Sequence, residues 1–230
     1  GDKVDSGLRD LFALSRPLKP GETIDYFISH SWHDEGKTKL ALLKSVVRNF
    51  KRRKKRNPTF WLDKVCIDQE NIGDGLKVLP INIMACRRVL VLCGPTYTKR
   101  LWCVWELCTL FFMRDLEEVL DRVELVTFED DAGMVVGGRT IIDGNALGEE
   151  ETRQGGGGSF DLESFKLANA HCYDPNEEAR LRDVIKAVGE QQFHQRVREL
   201  ARAFRTDVRI LARQHRLTIE QALIVWQQCG

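Results

Sequence analysis

Between residues 24 and 128, short apolar runs typical of strands alternate with stretches of helical spacing, and this alternation limits the possible folds most strongly. The strand-like runs are residues 24–29, 59–63, 89–93 and 123–128. The run at 89–93 reads VLVLC, which is apolar throughout, as in strands that are covered on both faces. Strands that alternate with helices form a mostly parallel sheet between helical layers. The sequence therefore predicts a three-layer α/β fold.

Changes in composition divide the chain into three parts. Residues 1–21 are polar and are predicted to be a lead-in, whereas residues 22–190 are predicted to carry the α/β domain. Residues 191–230 form a predicted helical extension, because apolar side chains recur there at helical spacing. This extension either packs back on the domain or begins a connection to a neighbouring one.

The segment between the fourth strand and the C-terminal helices has a different character. Residues 129–159 are rich in glycine and acidic residues, and are predicted to form a loop. Residues 155–159 read GGGGS, which has the composition of an engineered flexible spacer, with a native glycine run as the alternative. Residues 160–172 are predicted to supply a fifth strand.

Composition excludes several classes of protein. A chain of 230 residues that is 43% hydrophobic suits one domain of ordinary core size. The net charge of +1 argues against general nucleic-acid binding. Seven cysteines without a CxxC pair suit a reduced, cytoplasmic setting better than a disulfide framework. No apolar run reaches the ~18 residues of a membrane span, and no signal peptide is recognisable.

One concentrated charge feature remains. Residues 51–56 read KRRKKR, six basic residues in succession at a predicted helix end. Such a run can bind an acidic partner, a membrane surface or nucleic acid. A solvated helix terminus is the commoner explanation, since cations are favoured at that end of a helix.

Candidate site residues follow the predicted strands. Open parallel sheets bind ligands beyond the carboxyl ends of their strands. That rule selects the segments 29–34, 63–75 and 94–100, together with residues from 128 onward. Glu106 lies early in the helix that follows the third strand, so it is expected near the same edge.

Glu106 lies in the tract LWCVWEL, four residues after Trp102, so a helix places the two on one face. A fixed carboxylate stabilises the positive charge that develops on a sugar ring when an N-glycosidic bond breaks. A neighbouring tryptophan can stack on a base or a pyridinium ring. The simpler alternative is that Glu106 pairs with Lys99 or Arg100, or favours a helix N-terminus.

The exit of the first strand carries a cluster of polar and aromatic residues, namely Ser29, His30, Ser31, Trp32, His33 and Asp34. These residues can line a pocket rim or bind phosphate at a helix start. The alternative is an ordinary loop in which Asp34 caps the following helix. His30 and His33 show no metal-ligand spacing with a cysteine, so no metal is expected.

Three tracts carry a family resemblance. DYFISHSW at 25–32 is similar to the opening strand and following loop of a Toll/interleukin-1 receptor (TIR) domain. The tract at 60–97 resembles the second strand, the long loop, the second helix and the third strand of that family. LWCVWEL at 101–107 resembles the plant-type tract in which a Trp-Cys pair precedes the catalytic glutamate. The resemblance covers about residues 22–130 and identifies the chain as a divergent TIR-like member.

The resemblance implies a flavodoxin-like fold of five parallel strands. Many TIR domains cleave NAD+ to nicotinamide and ADP-ribose or a cyclic isomer, whereas others are self-assembling adaptors. By resemblance, Glu106 is catalytic and Trp102 is the aromatic residue before it. The other implied substrate-binding residues are Phe27, Ser29, His30, Ser31, Trp32 and Asp63. The implied gating and self-association loop, residues 64–78, contains Lys64, Asp68, Gly73 and Gly75.

The sequence thus favours a TIR-like NAD+ glycohydrolase that is activated by self-association with other TIR domains. NAD+ is the expected substrate, and no separate cofactor is expected. A non-enzymatic TIR-like assembly module is the first alternative. The second is a nucleoside- or nucleotide-processing enzyme of similar topology that uses Glu106 as a nucleophile on a deoxyribosyl bond.

Overall fold

The computed structural model of the chain describes residues 11–67, 77–128, 134–136, 139–142, 145–146, 162 and 165–203. The main sheet contains β1 (Tyr26–His30), β2 (Phe60–Trp61), β3 (Arg88–Cys93) and β4 (Val123–Thr127). The helices are α1 (Gly36–Lys54), α2 (Asp63–Cys66), α3 (Leu79–Ala85), α4 (Leu101–Met113), α5 (Leu116–Arg122), α6 (Pro175–Val188) and α7 (Glu190–Ala203).

The main sheet is parallel throughout, with the strand order β2-β1-β3-β4. The chain moves outward from β1 to β2, then crosses back to β3 and continues to β4. This reversal between β1 and β3 is the switch point of a flavodoxin-like fold. The predicted flavodoxin-like three-layer class, with additional C-terminal helices, is confirmed.

Alternation along the strands divides the core between the two faces of the sheet. Tyr26 and Ile28 point to the face that α1 covers, where they pack with Val46 and Phe50. Phe27 belongs to the core on the opposite face, which α3 to α7 cover. The strands are therefore buried on both faces, as the VLVLC run predicted.

The segment after β4 differs from the prediction. Where a loop was predicted, the described residues form a small antiparallel sheet of β5 (Met134–Val136), β6 (Arg139–Ile142) and β7 (Asn145–Ala146). The predicted fifth parallel strand is wrong for the described residues of 160–172. They form a 3₁₀ turn at Leu167–Asn169 and one isolated bridge between Arg100 and His171. The GGGGS tract lies outside the described residues.

Helix α4 is the central helix of the domain. Its sequence, LWCVWELCTLFFM, is apolar around almost the whole circumference, so it is buried on most sides. Helix α5 was not predicted. It begins after Asp115, whose side chain accepts a hydrogen bond of 2.8 Å from the Glu118 amide in a standard N-cap.

Helix α7 packs back on the domain. Phe193 is fully buried, and its ring lies 6.5 Å from the rings of both Trp105 and Phe112 on α4. Val197 and Leu200 continue the buried stripe at helical spacing. The described part of the predicted extension therefore contributes to the main core, and residues 204–230 lie outside the description.

The basic run at residues 51–56 forms the C-terminal end of α1. Residues 51–56 are all exposed, and Lys55 adopts a left-handed backbone conformation with φ 58° that ends the helix. Arg56 forms a paired contact with Asp25, with nitrogen–oxygen distances of 2.5 and 2.7 Å. One member of the run therefore fixes the N-terminal edge of the sheet.

Among the helices described, none combines the length and the apolar character that a membrane crossing requires. The six cysteines in the described part of the chain are all free.

Candidate functional site

Ser29 is a polar residue in an apolar layer. It is the fourth residue of β1, and strand alternation directs its side chain toward α4 together with that of Phe27. The residue is completely buried, so its hydroxyl needs partners within the protein. Its Oγ donates to Glu106 Oε2 at 2.5 Å and lies 2.6 Å from Tyr97 Oη. The carboxyl end of β1 thus contacts the predicted catalytic glutamate.

Glu106 lies in the second turn of α4 and is only 3% exposed. Burial removes water from the carboxyl group and raises the pKa of Glu106 well above its usual range. The hydrogen bonds from the side chains of Ser29 and Trp102 oppose this rise in pKa. In the closed site the carboxyl group is therefore held toward its neutral form, and a nearby positive charge would favour ionisation.

The alternative prediction that Glu106 forms an ion pair with Lys99 or Arg100 is wrong. Among the residues described, neither Lys99 nor Arg100 forms an ion pair with Glu106. The carboxyl group instead accepts a hydrogen bond from a neutral hydroxyl on another element. Glu106 also lies beyond the first turn of α4, where the effect of the helix N-terminus is weaker.

Tyr97 is a buried support that sequence reasoning did not single out. It lies in a 3₁₀ turn between β3 and α4, and its hydroxyl donates to the Cys103 carbonyl at 3.2 Å. It thereby ties the Ser29 hydroxyl to the start of α4. The sequence pointed to the segment 94–100 after the third strand, but nothing in it distinguished Tyr97 from its neighbours.

A carboxylate joins the loops after β1 and β3. Asp34 Oδ1 accepts hydrogen bonds from the Thr96 amide at 2.9 Å and from its hydroxyl at 2.7 Å. Asp34 is therefore not the predicted cap of α1, whose N-cap position is Glu35. Thr96 also lies 2.7 Å from the Ser31 hydroxyl. These contacts fix the loop after β1, which carries Trp32 and directly follows His30 at the end of the strand.

The rim of the site is aromatic and charged. Trp32 is 43% exposed, and its indole Nε1 donates to Asp63 Oδ2 at 3.0 Å. The His30 ring contacts the Trp32 ring edge-on, with centroids 4.2 Å apart. Burial lowers the pKa of His30, which favours a neutral imidazole. The ammonium group of Lys64 lies 4.2 Å from the centroid of the Trp32 ring.

The remaining aromatic candidates separate into two groups. Trp102 is half-buried one turn before Glu106, on the side of the site. Phe27 is fully buried and stacks on Trp61 with centroids 4.6 Å apart, so it supports the site from the core. Trp105 stacks with Phe193 of α7 instead of facing Ser29.

The structure therefore brings Ser29, Trp102 and Glu106 together and places His30, Trp32 and Asp63 along the rim of the same sheet edge. Lys64 joins that rim. Asp68, Gly73 and Gly75, from the predicted gating loop, lie outside the described residues. Within the described ranges, no group of three or more His, Cys, Asp or Glu side chains could hold a metal ion.

A scan against models of known protein families gave no match to the chain, and a search among curated proteins gave none either.

Proposed function

We propose that the chain is a TIR-like NAD+ glycohydrolase that is activated by self-association. The observation that carries the proposal is the buried Glu106 carboxyl group, which receives the Ser29 hydrogen bond at the carboxyl edge of a parallel sheet. Ligands of open α/β sheets bind at this edge. The resemblance of the LWCVWEL tract to the TIR catalytic tract supports the same assignment.

In the proposed reaction the bond between ribose C1′ and the nicotinamide nitrogen breaks. The bonding electron pair goes to the pyridinium nitrogen, which becomes neutral, and the positive charge moves to the ribosyl ring. Glu106 stabilises that charge as an anion, and Trp102 packs against a ring of the substrate. Water then adds to C1′ and loses a proton, which gives ADP-ribose. A substrate hydroxyl in place of water gives a cyclic isomer.

The positive charge of the substrate favours the ionised form of Glu106 that the proposed reaction requires. Burial raises the pKa of this carboxyl group and favours its neutral form, whereas a cation nearby favours the ionised form. The pyridinium of NAD+ is such a cation, and the oxocarbenium-like transition state is another. We therefore expect Glu106 to ionise when substrate binds, with the Ser29 hydrogen bond already directed at the anion.

Self-association is proposed to open the site, because Glu106 is closed to solvent in the single chain. Specific activity should then rise steeply with protein concentration. Activity that stays proportional to the amount of monomeric protein would contradict this part of the proposal.

Product analysis tests the reaction class. Concentrated protein is incubated in parallel with NAD+ and with 2′-deoxynucleoside monophosphates, and the products are separated by chromatography. Nicotinamide and ADP-ribose or its isomer from NAD+ alone are the expected result. Release of free bases from the deoxynucleotides alone would instead support a deoxyribosyl-processing enzyme.

The burial of Glu106 also favours one alternative, a non-enzymatic TIR-like assembly module. In that case the Ser29–Glu106 contact only fills the core. Glu106→Gln would then leave assembly intact, whereas charge reversal in the loop at 64–78 would abolish it. The glycohydrolase proposal expects Glu106→Gln to abolish NAD+ cleavage while assembly persists.

A further inference from the structure

Two lysines from different helices approach the same tryptophan ring. Lys39 Nζ on α1 lies 5.6 Å from the centroid of Trp32, and Lys64 Nζ on α2 lies 4.2 Å from it. Lysines this close to an indole gain a cation–π attraction that holds their ammonium groups in place. The two helices follow β1 and β2, so both cations lie at the sheet edge that carries the site.

Other contacts fix the three side chains. Lys39 Nζ donates to the Ser31 carbonyl at 2.7 Å, which leaves two further donor hydrogens on that ammonium group. Asp63 Oδ2 accepts from the Trp32 indole, and Asp63 Oδ1 accepts from the Lys64 backbone amide at 2.7 Å. Both oxygens of Asp63 are therefore used by neutral donors. Across the described residues, neither ammonium group has a carboxylate within ion-pair distance.

Charges of both signs face Lys39. Burial lowers the pKa of Lys39, and the nearby Lys64 cation lowers it further. Asp34, Asp63 and Cys103 act in the opposite direction on the pKa of Lys39. A partly buried ammonium group with a second cation nearby is stabilised when an anion binds both of them.

Resting on the function proposed above, we propose that Lys39, Lys64 and Trp32 form a subsite for the diphosphate bridge of a dinucleotide substrate. Two ammonium groups match the two negative charges of that bridge, and lysine is a common ligand of phosphate. The Trp32 ring anchors the cations and, being 43% exposed, borders the bound substrate. Lys39 thereby becomes a specificity-determining residue, because a nucleoside without phosphates cannot use it.

Hydrolysis of two substrates tests the subsite. NAD+ carries the diphosphate, and nicotinamide riboside has the same scissile bond without any phosphate. For Lys39→Gln and for Lys64→Gln we expect the ratio of kcat/KM for NAD+ to that for nicotinamide riboside to fall about tenfold. Lys44→Gln is the matched control, since it changes an exposed lysine on the same helix. An unchanged ratio in both variants would overturn the subsite.

A binding measurement separates failure of the subsite from failure of the proposed function. ADP-ribose, which retains the diphosphate but lacks nicotinamide, is titrated into wild-type protein and Lys39→Gln/Lys64→Gln protein by calorimetry. We expect the double substitution to weaken binding at least tenfold and to reduce its dependence on salt. Equal affinity in the two proteins would refute the subsite. Subsite-dependent binding without cleavage of either substrate would refute only the glycohydrolase.

Discussion

Ser29 on β1 donates a hydrogen bond of 2.5 Å to Glu106 on α4, 77 residues further along the chain. The contact joins the central part of the sheet to the helix that carries the predicted catalytic glutamate. Both residues are buried, so the hydrogen bond is shielded from water and acts in a low-dielectric environment. This pair links the fold directly to the proposed chemistry.

Ser29→Ala should reduce NAD+ cleavage by about ten- to a hundredfold, the range expected when an ionised group loses a hydrogen bond. It should also move the acid limb of the pH–rate profile to higher pH, because the hydrogen bond from Ser29 lowers the pKa of Glu106. Steady-state kinetics across pH measures both effects.

Tyr97→Phe is the control for that prediction. It removes the other hydroxyl near Ser29 but leaves the Ser29–Glu106 hydrogen bond in place. We expect a smaller loss of rate and no shift of the acid limb. Equal effects of the two substitutions would indicate a general packing defect instead.

Glu106→Gln should gain stability relative to the wild type as pH rises. The pKa of Glu106 is raised in the folded state, so the folded protein holds a proton that the unfolded chain releases above its ordinary pKa. The stabilising contribution of the protonated carboxyl group is full below the unfolded pKa and is lost as pH rises through the folded pKa. Thermal melts of both proteins from acid to mildly alkaline pH measure the difference. A difference that does not change with pH would argue against the raised pKa.

Apart from α5, the described part of residues 24–128 was predictable in outline, because its apolar runs and helical spacings are local signals. The position of Glu106 and Trp102 on one helix face was predictable for the same reason, since the two residues lie four positions apart. The Ser29–Glu106 contact was not predictable, because it depends on the register of β1 beside β3 and on how α4 crosses the sheet. Nothing in the sequence marked Lys39 as a candidate site residue, because a lysine near the polar start of a helix is usually just solvated.

The predicted fifth strand failed for a related reason. Residues 160–172 lack a continuous apolar run, and the described residues there bury single side chains such as Leu162 and Leu167 without extended pairing. Conversely, the packing of α7 on α4 depends on Phe193, whose aromatic neighbours are distant in sequence.

Gly94→Ala should destabilise the protein by about 2 kcal/mol, within the usual range for overpacking a well-filled site. A Cβ at this position would lie about 2.4 Å from Cγ and Oδ2 of Asp34. Asp34 cannot retreat without losing its hydrogen bonds to Thr96. Urea unfolding measures the loss. In an Asp34→Ser background, Gly94→Ala should lower the free energy of unfolding by a smaller amount. Equal losses in both backgrounds would rule out this clash.

Phe193→Ala should destabilise the domain by about 3–5 kcal/mol, because it empties a fully buried aromatic site. Val184→Ala, at a position on α6 that is 43% exposed, should change stability by less than about 1 kcal/mol. Chemical denaturation of both variants provides the comparison. A loss for Phe193→Ala as small as that for Val184→Ala would mean that α7 is not part of the cooperative core.

The catalytic role of Glu106 is tested by nicotinamide release from NAD+. Concentrated wild-type and Glu106→Gln protein are compared side by side on a surface that enforces self-association. We expect release by the wild type and none by the variant, with both proteins folded at the assay temperature. Equal release by the two proteins, or no release by a folded and assembled wild type, would contradict the assignment of Glu106 as the catalytic carboxylate of an NAD+ glycohydrolase.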